Sequence, residues 1–157
     1  VCGGNSILDC SGICDGSSVV DDCGVCDGDG TSCQLSACDI DENTIYLNHL
    51  EENSYNVFYN IDSDFTAFQF DLLFNSDNNG GTLVDASGGD AVSSGLIVNQ
   101  NTENNRIIAF SFSNAVVTSG CGTLVNLTIS GTPLDTLDNI IFSDINAANI
   151  NVSYYNE

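Results

Sequence analysis

The sequence predicts an all-β protein, an antiparallel two-sheet sandwich preceded by an irregular, disulfide-rich segment. From Asp39 onward, short segments of alternating apolar and polar residues are separated by turn-forming Gly, Asn, Asp and Ser. No convincing helical pattern interrupts them. The first 38 residues instead hold seven of the eight cysteines. We therefore divide the chain into a Cys- and Asp-rich segment, 1–38, and a β-sandwich domain, 39–157.

Four segments of the second region have the clearest alternation, and each places its large apolar residues on one face. These residues are Phe68, Phe70, Leu72 and Phe74 in "FTAFQFDLLF"; Ile108, Phe110 and Phe112 in "RIIAFSF"; Val125, Leu127 and Ile129 in "TLVNLTIS"; and Ile150, Val152 and Tyr154 in "NINVSYY". The other face of "TLVNLTIS" holds Leu124, Asn126 and Thr128. Five further strands, at Thr44–Leu47, Tyr55–Ile61, Thr82–Ala86, Leu96–Asn99 and Asn139–Phe142, bring the predicted number to nine.

The N-terminal segment repeats a short unit. "CGGNSILDCSGI" aligns with "CDGSSVVDDCGV", and "CDGDGTSC" is a truncated third copy. A unit this short cannot bury enough apolar surface to fold alone, so disulfides are expected to hold it together. The simplest pairing lies within each copy, but sequence does not determine connectivity and other pairings stay open. The expected pairs are Cys2–Cys10, Cys14–Cys23 and Cys26–Cys33.

Two cysteines remain outside these pairs. Cys38 lies just before the first predicted strand, and Cys121 lies in the turn before "TLVNLTIS". The even number of cysteines favours a Cys38–Cys121 disulfide. The alternative is that Cys121 is a buried free thiol and Cys38 pairs within the repeats.

The aspartates of the N-terminal segment are candidate calcium ligands. Calcium prefers about six to eight oxygen ligands, and clustered carboxylates repel one another without a counterion. "DGDG" and "DIDEN" place carboxylates two residues apart, although neither matches an EF-hand. Calcium is therefore the expected cofactor, and solvated acids in loops are the alternative. The candidate ligands are Asp9, Asp15, Asp22, Asp27, Asp29, Asp39 and Asp41.

Zinc is the rival use of the cysteines. The pairs Cys10 with Cys14 and Cys23 with Cys26 could together supply four thiolates. The acidic, lysine-free composition and the even spacing of the cysteines instead favour disulfides in an oxidising compartment. We therefore expect an extracellular or cell-surface protein.

The charge of the chain excludes several classes of partner. Its net charge is −21, with one arginine and no lysine. Nucleic acid and anionic membranes would be repelled, because phosphate contacts need Lys and Arg. No apolar run approaches the ~20 residues that span a bilayer. The chain begins inside a repeat, so we expect a mature fragment or one module of a longer protein.

Catalysis has little support in the sequence. The one histidine, His49, lies beside Glu51 and Glu52 but without a nucleophile motif. Carbohydrate binding is a fair alternative, with Tyr155 as the best candidate for an exposed aromatic platform. Two glycosylation sequons begin at Asn126 and Asn151, both on the outward phase of predicted strands. We therefore expect a protein that is not an enzyme.

Two stretches resemble known families. "DDCGVCDGDGTSC" resembles the Cys-Gly-Val-Cys-x-Gly-Asp repeats of large secreted proteins and, more distantly, the calcium-binding repeats of thrombospondin type 3. The region from "FQFDLLF" through "IIAFSFSNAVVTSGCGTLVNLTISG" to "NINVSYY" is similar to cohesin modules, which implies a nine-stranded jelly roll with a scaffolding or protein-binding role. No dockerin-contacting residue can be carried over.

The expected function is that of a structural module in a surface appendage or filament, stiffened by disulfides and calcium. Its expected partners are other copies of itself, stacked head to tail, or another surface protein. The alternative is a recognition module for a carbohydrate or for a dockerin-type protein.

Overall fold

The computed structural model describes residues 6–21, 23–30, 34–75 and 80–156. The chain forms two compact units, Val1–Leu35 and Ser36–Glu157. The boundary predicted from composition, after Cys38, falls close to the start of the second unit. Within the described ranges, no helix is long and apolar enough to cross a membrane.

The second unit is a β-sandwich, as the alternation predicts. Its strands are β1 (Thr44–Glu51), β2 (Ser54–Ile61), β3 (Ala67–Phe74), β4 (Thr82–Ser87), β5 (Ile97–Asn101), β6 (Arg106–Phe110), β7 (Gly120–Ser130), β8 (Leu134–Ser143), β9 (Asn149–Ile150) and β10 (Ser153–Tyr154). One short helix, α1 (Gly89–Ser93), lies between β4 and β5. The sequence did not predict this helix, because five residues are too few to show a helical period.

The strands form two five-stranded sheets. Sheet I has the order β10–β1–β2–β7–β4, and sheet II has the order β5–β6–β3–β8–β9. The pairs within both sheets are antiparallel, except that β10 runs parallel to β1. Each sheet turns one face toward the other and the opposite face toward solvent.

Aromatic rings fill the space between the sheets. The predicted inward face of β3 is confirmed, because Phe68, Phe70, Leu72 and Phe74 are all buried. Phe65, just before β3, is fully buried and lies 5.1 Å from Phe142 of β8 between ring centroids. Such edge-to-face contacts add to the free energy gained by burial of the rings.

The predicted facing of β7 is wrong at one residue. Leu124 is fully buried beside Val125, although strict alternation places it outward. The register between β2 and β7 shifts between Val57 and Phe58. This bulge turns two consecutive residues inward, which a period of two cannot represent.

The prediction of "NINVSYY" as one continuous strand is also wrong. "NINVSYY" is divided between β9, which pairs with β8 in sheet II, and β10, which pairs with β1 in sheet I. The connection consists of Asn151 and Val152, and Val152 packs against the core. Asn151 therefore does not lie on a strand, but its side chain is exposed.

The Cys38–Cys121 disulfide is present as predicted. Both cysteines belong to the second unit, where Cys38 precedes β1 and Cys121 lies in β7. Their Cα atoms are 5.2 Å apart, and 83 residues separate them in the sequence. The alternative of a free Cys121 is wrong.

The pairing inside the N-terminal unit differs from the prediction. Cys10 pairs with Cys26, so the predicted bridges Cys2–Cys10 and Cys26–Cys33 are wrong. Cys2 and Cys33 lie outside the described residues. Cys14 and Cys23 are both disulfide-bonded, but a Cys14–Cys23 bridge is not among the disulfides within the described ranges. Backbone turns decide which cysteines meet, and closely spaced cysteines in a sequence are compatible with several choices.

Candidate functional site

The outer face of sheet II carries an exposed apolar cluster. Its members come from three strands and from the segment that follows β6. They are Ile97, Ile108, Phe110, Phe112 and Ile141, which we call the sheet II patch; Phe110 is half-buried and the other four are exposed. Large apolar side chains grouped on a solvent-facing sheet commonly mark an interaction surface.

Strand pairing explains why these side chains lie together. Ile97 of β5 is opposite Phe110 of β6, and Ile108 of β6 is opposite Gln69 of β3. Gln69 is in turn opposite Ile141 of β8. Residues directly opposite one another on the same face of a sheet are in contact range. The patch therefore extends from β5 to β8, with Gln69 of β3 between the apolar side chains of β6 and β8.

The strand β6 is apolar on both faces. Ile107 and Ala109 are fully buried in the core, so Ile108 and Phe110 point outward. Ile108 and Phe110 thus share a face, as the alternation predicts, but this face is turned away from the core. The strand ends at Phe110, so Phe112 lies beyond it. Ile108 is 39% exposed and Phe112, packed against Phe110 with ring centroids 5.0 Å apart, is 84% exposed.

The surface at the centre of the patch is slightly concave. Ile108, Phe110 and Ile141 line a depression of about 150 Å³, together with Ala67 and Gln69 from β3. The Gln69 amide is half-buried among these side chains and can donate and accept hydrogen bonds. This combination of apolar walls and one amide suits an apolar side chain with an adjacent polar group.

A charged cluster borders the patch on the same face. Arg106, the only Arg or Lys of the chain, binds the Asp71 carboxylate through Nε at 2.5 Å and through a second nitrogen at 2.7 Å. The side-chain amide of Asn139 donates to the same carboxylate at 2.7 Å. The hydrogen bond from Arg106 holds the pKa of Asp71 below its ordinary value. Arg106 is therefore fixed in position and remains partly exposed.

The predicted calcium ligands are distributed among several local hydrogen bonds. Asp15 accepts from Ser6, Asp27 from Ser18, and Asp39 from the backbone of Ser36. The Asp41 carbonyl accepts from Thr44. Asp9 and Asp15 line an open concavity of about 510 Å³ in the N-terminal unit. Asp29 also belongs to the described residues, whereas Asp22 lies outside them.

In the described part of the chain, no three His, Cys, Asp or Glu side chains form a group that could hold a metal ion. Calcium binding stays a prediction. The zinc alternative is wrong, because all four candidate cysteines are disulfide-bonded.

The carboxylates of Asp9 and Asp21 hold the turns of the N-terminal unit. Asp9 was predicted to bind calcium, and Asp21 was not among the predicted ligands. Each accepts three backbone N–H groups, and the two sets occupy equivalent positions along the chain. The donors are Ser11, Ile13 and Ser18 for Asp9, and Cys23, Val25 and Gly30 for Asp21, at 2.8–3.3 Å. Hydrogen bonds to an ionised carboxylate are among the stronger ones in proteins.

These bonds make the N-terminal unit sensitive to acid. The backbone N–H of Ile13 is the main cause that lowers the pKa of Asp9, and that of Val25 is the main cause for Asp21. Because the pKa is lowered on folding, the stabilisation is present above the ordinary value of 3.8 and is lost as the pH falls through the lowered values. We expect the amide NMR signals of Ile13 and Val25 to titrate with midpoints below 3.8. Midpoints at or above 3.8 would contradict these contacts.

The remaining predicted sites lie on other surfaces. Asn126 is exposed on the outer face of β7, as predicted for a glycosylation acceptor, and its glycosylation stays a prediction. Tyr155 is only partly exposed, because it packs edge-on against Tyr46 with ring centroids 5.8 Å apart. His49 is an exposed residue of β1 that contacts the ring of Tyr55.

Comparison with known proteins shows that the fold of this chain is similar to that of solved structures. No protein-family model and no curated protein sequence matches the chain. Solved structures do match. A non-cellulosomal cohesin from the hyperthermophilic archaeon Archaeoglobus fulgidus is similar with a TM-score of 0.54 and 18% identity, over 71% of this chain and 86% of that one.

Two further similar structures are complexes. A chain of the CaDoc0917–CaCohA2 complex at pH 5.5 is 19% identical, with a TM-score of 0.53 over 71% of this chain and 93% of that one. A chain of the type I cohesin–dockerin complex Coh-OlpC–Doc435 from Clostridium thermocellum is 11% identical, with a TM-score of 0.50 over 73% and 90%. The second unit of this protein is a β-sandwich with a cohesin-like fold.

Proposed function

We propose that this chain is an extracellular, non-catalytic protein-binding module of the cohesin type, and that its sheet II patch receives the partner. The observation that carries the proposal is the exposure of large apolar side chains from adjacent strands. Ile97 and Ile141 are each 46% exposed. Their exposure to water is unfavourable in the free protein, so covering them contributes to binding.

The surroundings of the patch have the composition of a protein interface. Such interfaces have an apolar centre and a polar rim, and aromatic residues and Arg are enriched in them. Phe110 and Phe112 supply aromatic surface, and Gln69 supplies an amide within the depression. Arg106, held by Asp71, offers a positioned cation at the rim. A partner with apolar anchors and a nearby acceptor would fit this arrangement.

The similar structures support the class of partner. One of them is a type I cohesin bound to a dockerin. A cohesin-like sandwich with an exposed apolar sheet is therefore expected to recognise a small protein module of dockerin type. The disulfides Cys10–Cys26 and Cys38–Cys121 support an oxidising, extracellular setting.

A single charge placed in the patch tests the proposal. Ile108→Asp is expected to weaken binding to a dockerin-type protein by about 30-fold or more, because it buries an unpaired carboxylate at the interface. Calorimetry against a panel of purified dockerin modules measures the affinity of the wild-type chain and of the variant. Thermal unfolding of both proteins verifies that the variant is folded.

A matched variant on the other sheet is the control. Leu50 is 52% exposed at the end of β1 in sheet I, so Leu50→Asp adds the same charge away from the patch. It is expected to bind like the wild type. Unchanged affinity in Ile108→Asp, or no affinity of the wild type for any dockerin in the panel, would contradict the proposal.

The second candidate function is assembly of copies into a surface filament, as the sequence suggested. The N-terminal unit favours it, because Ile7, Ile13 and Val19 are exposed by 79%, 59% and 71%. Apolar groups this exposed on a small unit can join neighbouring copies in an open array. Sedimentation at increasing concentration distinguishes the two functions, because a module that binds only a foreign partner remains monomeric alone.

A further inference from the structure

The outer face of sheet I differs in chemistry from the sheet II patch. A row of amide and hydroxyl side chains crosses it through four strands. Asn48 of β1 is opposite Asn56 of β2, Asn56 is opposite Asn126 of β7, and Asn126 is opposite Ser87 of β4. We call these four residues the amide row. At a strand spacing of ~4.8 Å it extends over roughly 14 Å.

The amides of this row are available to a ligand. Asn126 is exposed, and Asn48 and Asn56 are half-buried. None of these three side chains hydrogen-bonds to another residue in the described part of the chain. Each amide carries two donor hydrogens and one acceptor oxygen, so the row offers both kinds of group at regular intervals.

Aromatic rings flank the amide row on the same face. Tyr46 of β1 is opposite Phe58 of β2, two residues along each strand from the amide row. Both rings are half-buried. Tyr155, which follows β10, packs against Tyr46 with ring planes 85° apart. These rings provide an apolar surface beside the line of hydrogen-bonding groups.

Tyr46 and Phe58 form a second row, the aromatic row, beside the amide row. The side chains of both rows carry no charge, although the chain has a net charge of −21. The aromatic row continues from Phe58 to Thr123, another neutral residue. Two carboxylates lie in the neighbouring register, Glu51 opposite Ser54 and Asp85 opposite Thr128. Asp85 accepts a hydrogen bond from the Ser87 hydroxyl at the β4 end of the amide row. The side chains of Asn48, Asn56 and Asn126 are neutral and rich in hydrogen-bonding groups, which favours a ligand that has many hydroxyls and no charge.

We propose that the outer face of sheet I binds a neutral polysaccharide. The sugar rings would stack on Tyr46 and Phe58, because the C–H faces of a sugar are apolar. Their hydroxyls would exchange hydrogen bonds with the amides of Asn48, Asn56 and Asn126. An acidic polysaccharide would be repelled by the net charge of the chain. This site is independent of the sheet II patch and lies on the opposite surface of the sandwich.

Affinity electrophoresis of the full chain tests the proposal. The probes are soluble neutral polysaccharides (hydroxyethyl cellulose, xyloglucan, laminarin and dextran), with alginate as the acidic control. We expect at least one neutral probe to retard the wild type and alginate not to. The double variant Asn48→Ala with Asn56→Ala should lose about tenfold or more in affinity, because it removes several hydrogen bonds at once.

Two further variants make the result specific. Tyr46→Ala should also weaken binding, through loss of the stacking surface. Asn104→Ala removes an exposed turn amide away from the site and should bind like the wild type. Thermal unfolding confirms that each variant is folded.

Three results would overturn the proposal: no retardation by any neutral probe, equal retardation of the double variant, or a covalent glycan at Asn126 in the native protein. The glycan would occupy the face, and its removal by an N-glycosidase would appear as a mass change. None of these results bears on dockerin binding, which Ile108→Asp tests on the other sheet.

Discussion

Replacement of Phe65 by alanine is expected to lower the free energy of unfolding of the sandwich by about 3–5 kcal/mol. Phe65 is fully buried and contacts three rings, at centroid distances of 5.7 Å to Tyr59, 6.3 Å to Phe68 and 5.1 Å to Phe142. The truncation removes buried apolar surface and leaves a cavity that close-packed neighbours fill only in part. Urea unfolding followed by far-UV circular dichroism measures the change.

Phe112 provides the matched control, because it is 84% exposed. Phe112→Ala deletes the same atoms from a site in water, so its effect should stay within about 0.5 kcal/mol. Equal losses in the two variants would show that Phe65 does not lie at the centre of the core.

Removal of the Cys38–Cys121 disulfide is expected to cost about 4 kcal/mol of stability. The bond closes a loop between cysteines 83 residues apart, which removes much conformational freedom from the unfolded chain. The variant Cys38→Ala with Cys121→Ala is compared with the wild type in the same urea experiment. Both proteins are kept under non-reducing conditions.

The other described disulfide supplies the control. Cys10 and Cys26 belong to the N-terminal unit, so Cys10→Ala with Cys26→Ala should leave the unfolding midpoint of the sandwich close to that of the wild type. An unchanged midpoint in the Cys38 and Cys121 variant would mean that this bond does not restrain the sandwich.

Much of the sandwich can be predicted because the sequence alternates where one face of a strand is buried. In β3, Phe68 and Phe70 alternate with Gln69, and only one facing buries both rings. Alternation predicts the wrong facing where the backbone departs from a period of two. The bulge beside Leu124 and the division of "NINVSYY" between two sheets depend on pairing with distant strands.

The sequence predicted only part of the candidate site. Ile108 and Phe110 were correctly placed on one face, whereas Phe112 lies beyond the end of β6. Which face is buried could not be decided, because Ile107 and Ala109 are apolar too. Burial of Ile107 and Ala109 depends on the opposite sheet, which the local sequence does not describe.

The role of the N-terminal aspartates depends on backbone geometry rather than on composition. Asp9 and Asp21 cap turns in which Gly12 and Gly24 adopt positive φ, at 80° and 78°. Composition identifies a segment rich in Asp, but it does not distinguish a carboxylate that binds its own backbone from one that binds an ion.

Isoleucine methyl NMR shows whether the sheet II patch binds a protein partner. The δ1-methyl signals of Ile97, Ile108 and Ile141 report on the patch, whereas Ile45 and Ile129 lie in sheet I. Addition of a dockerin-type partner is predicted to shift or broaden the three patch signals and to leave the other two unchanged. Binding that leaves the three patch signals in place would show that the partner docks on another surface.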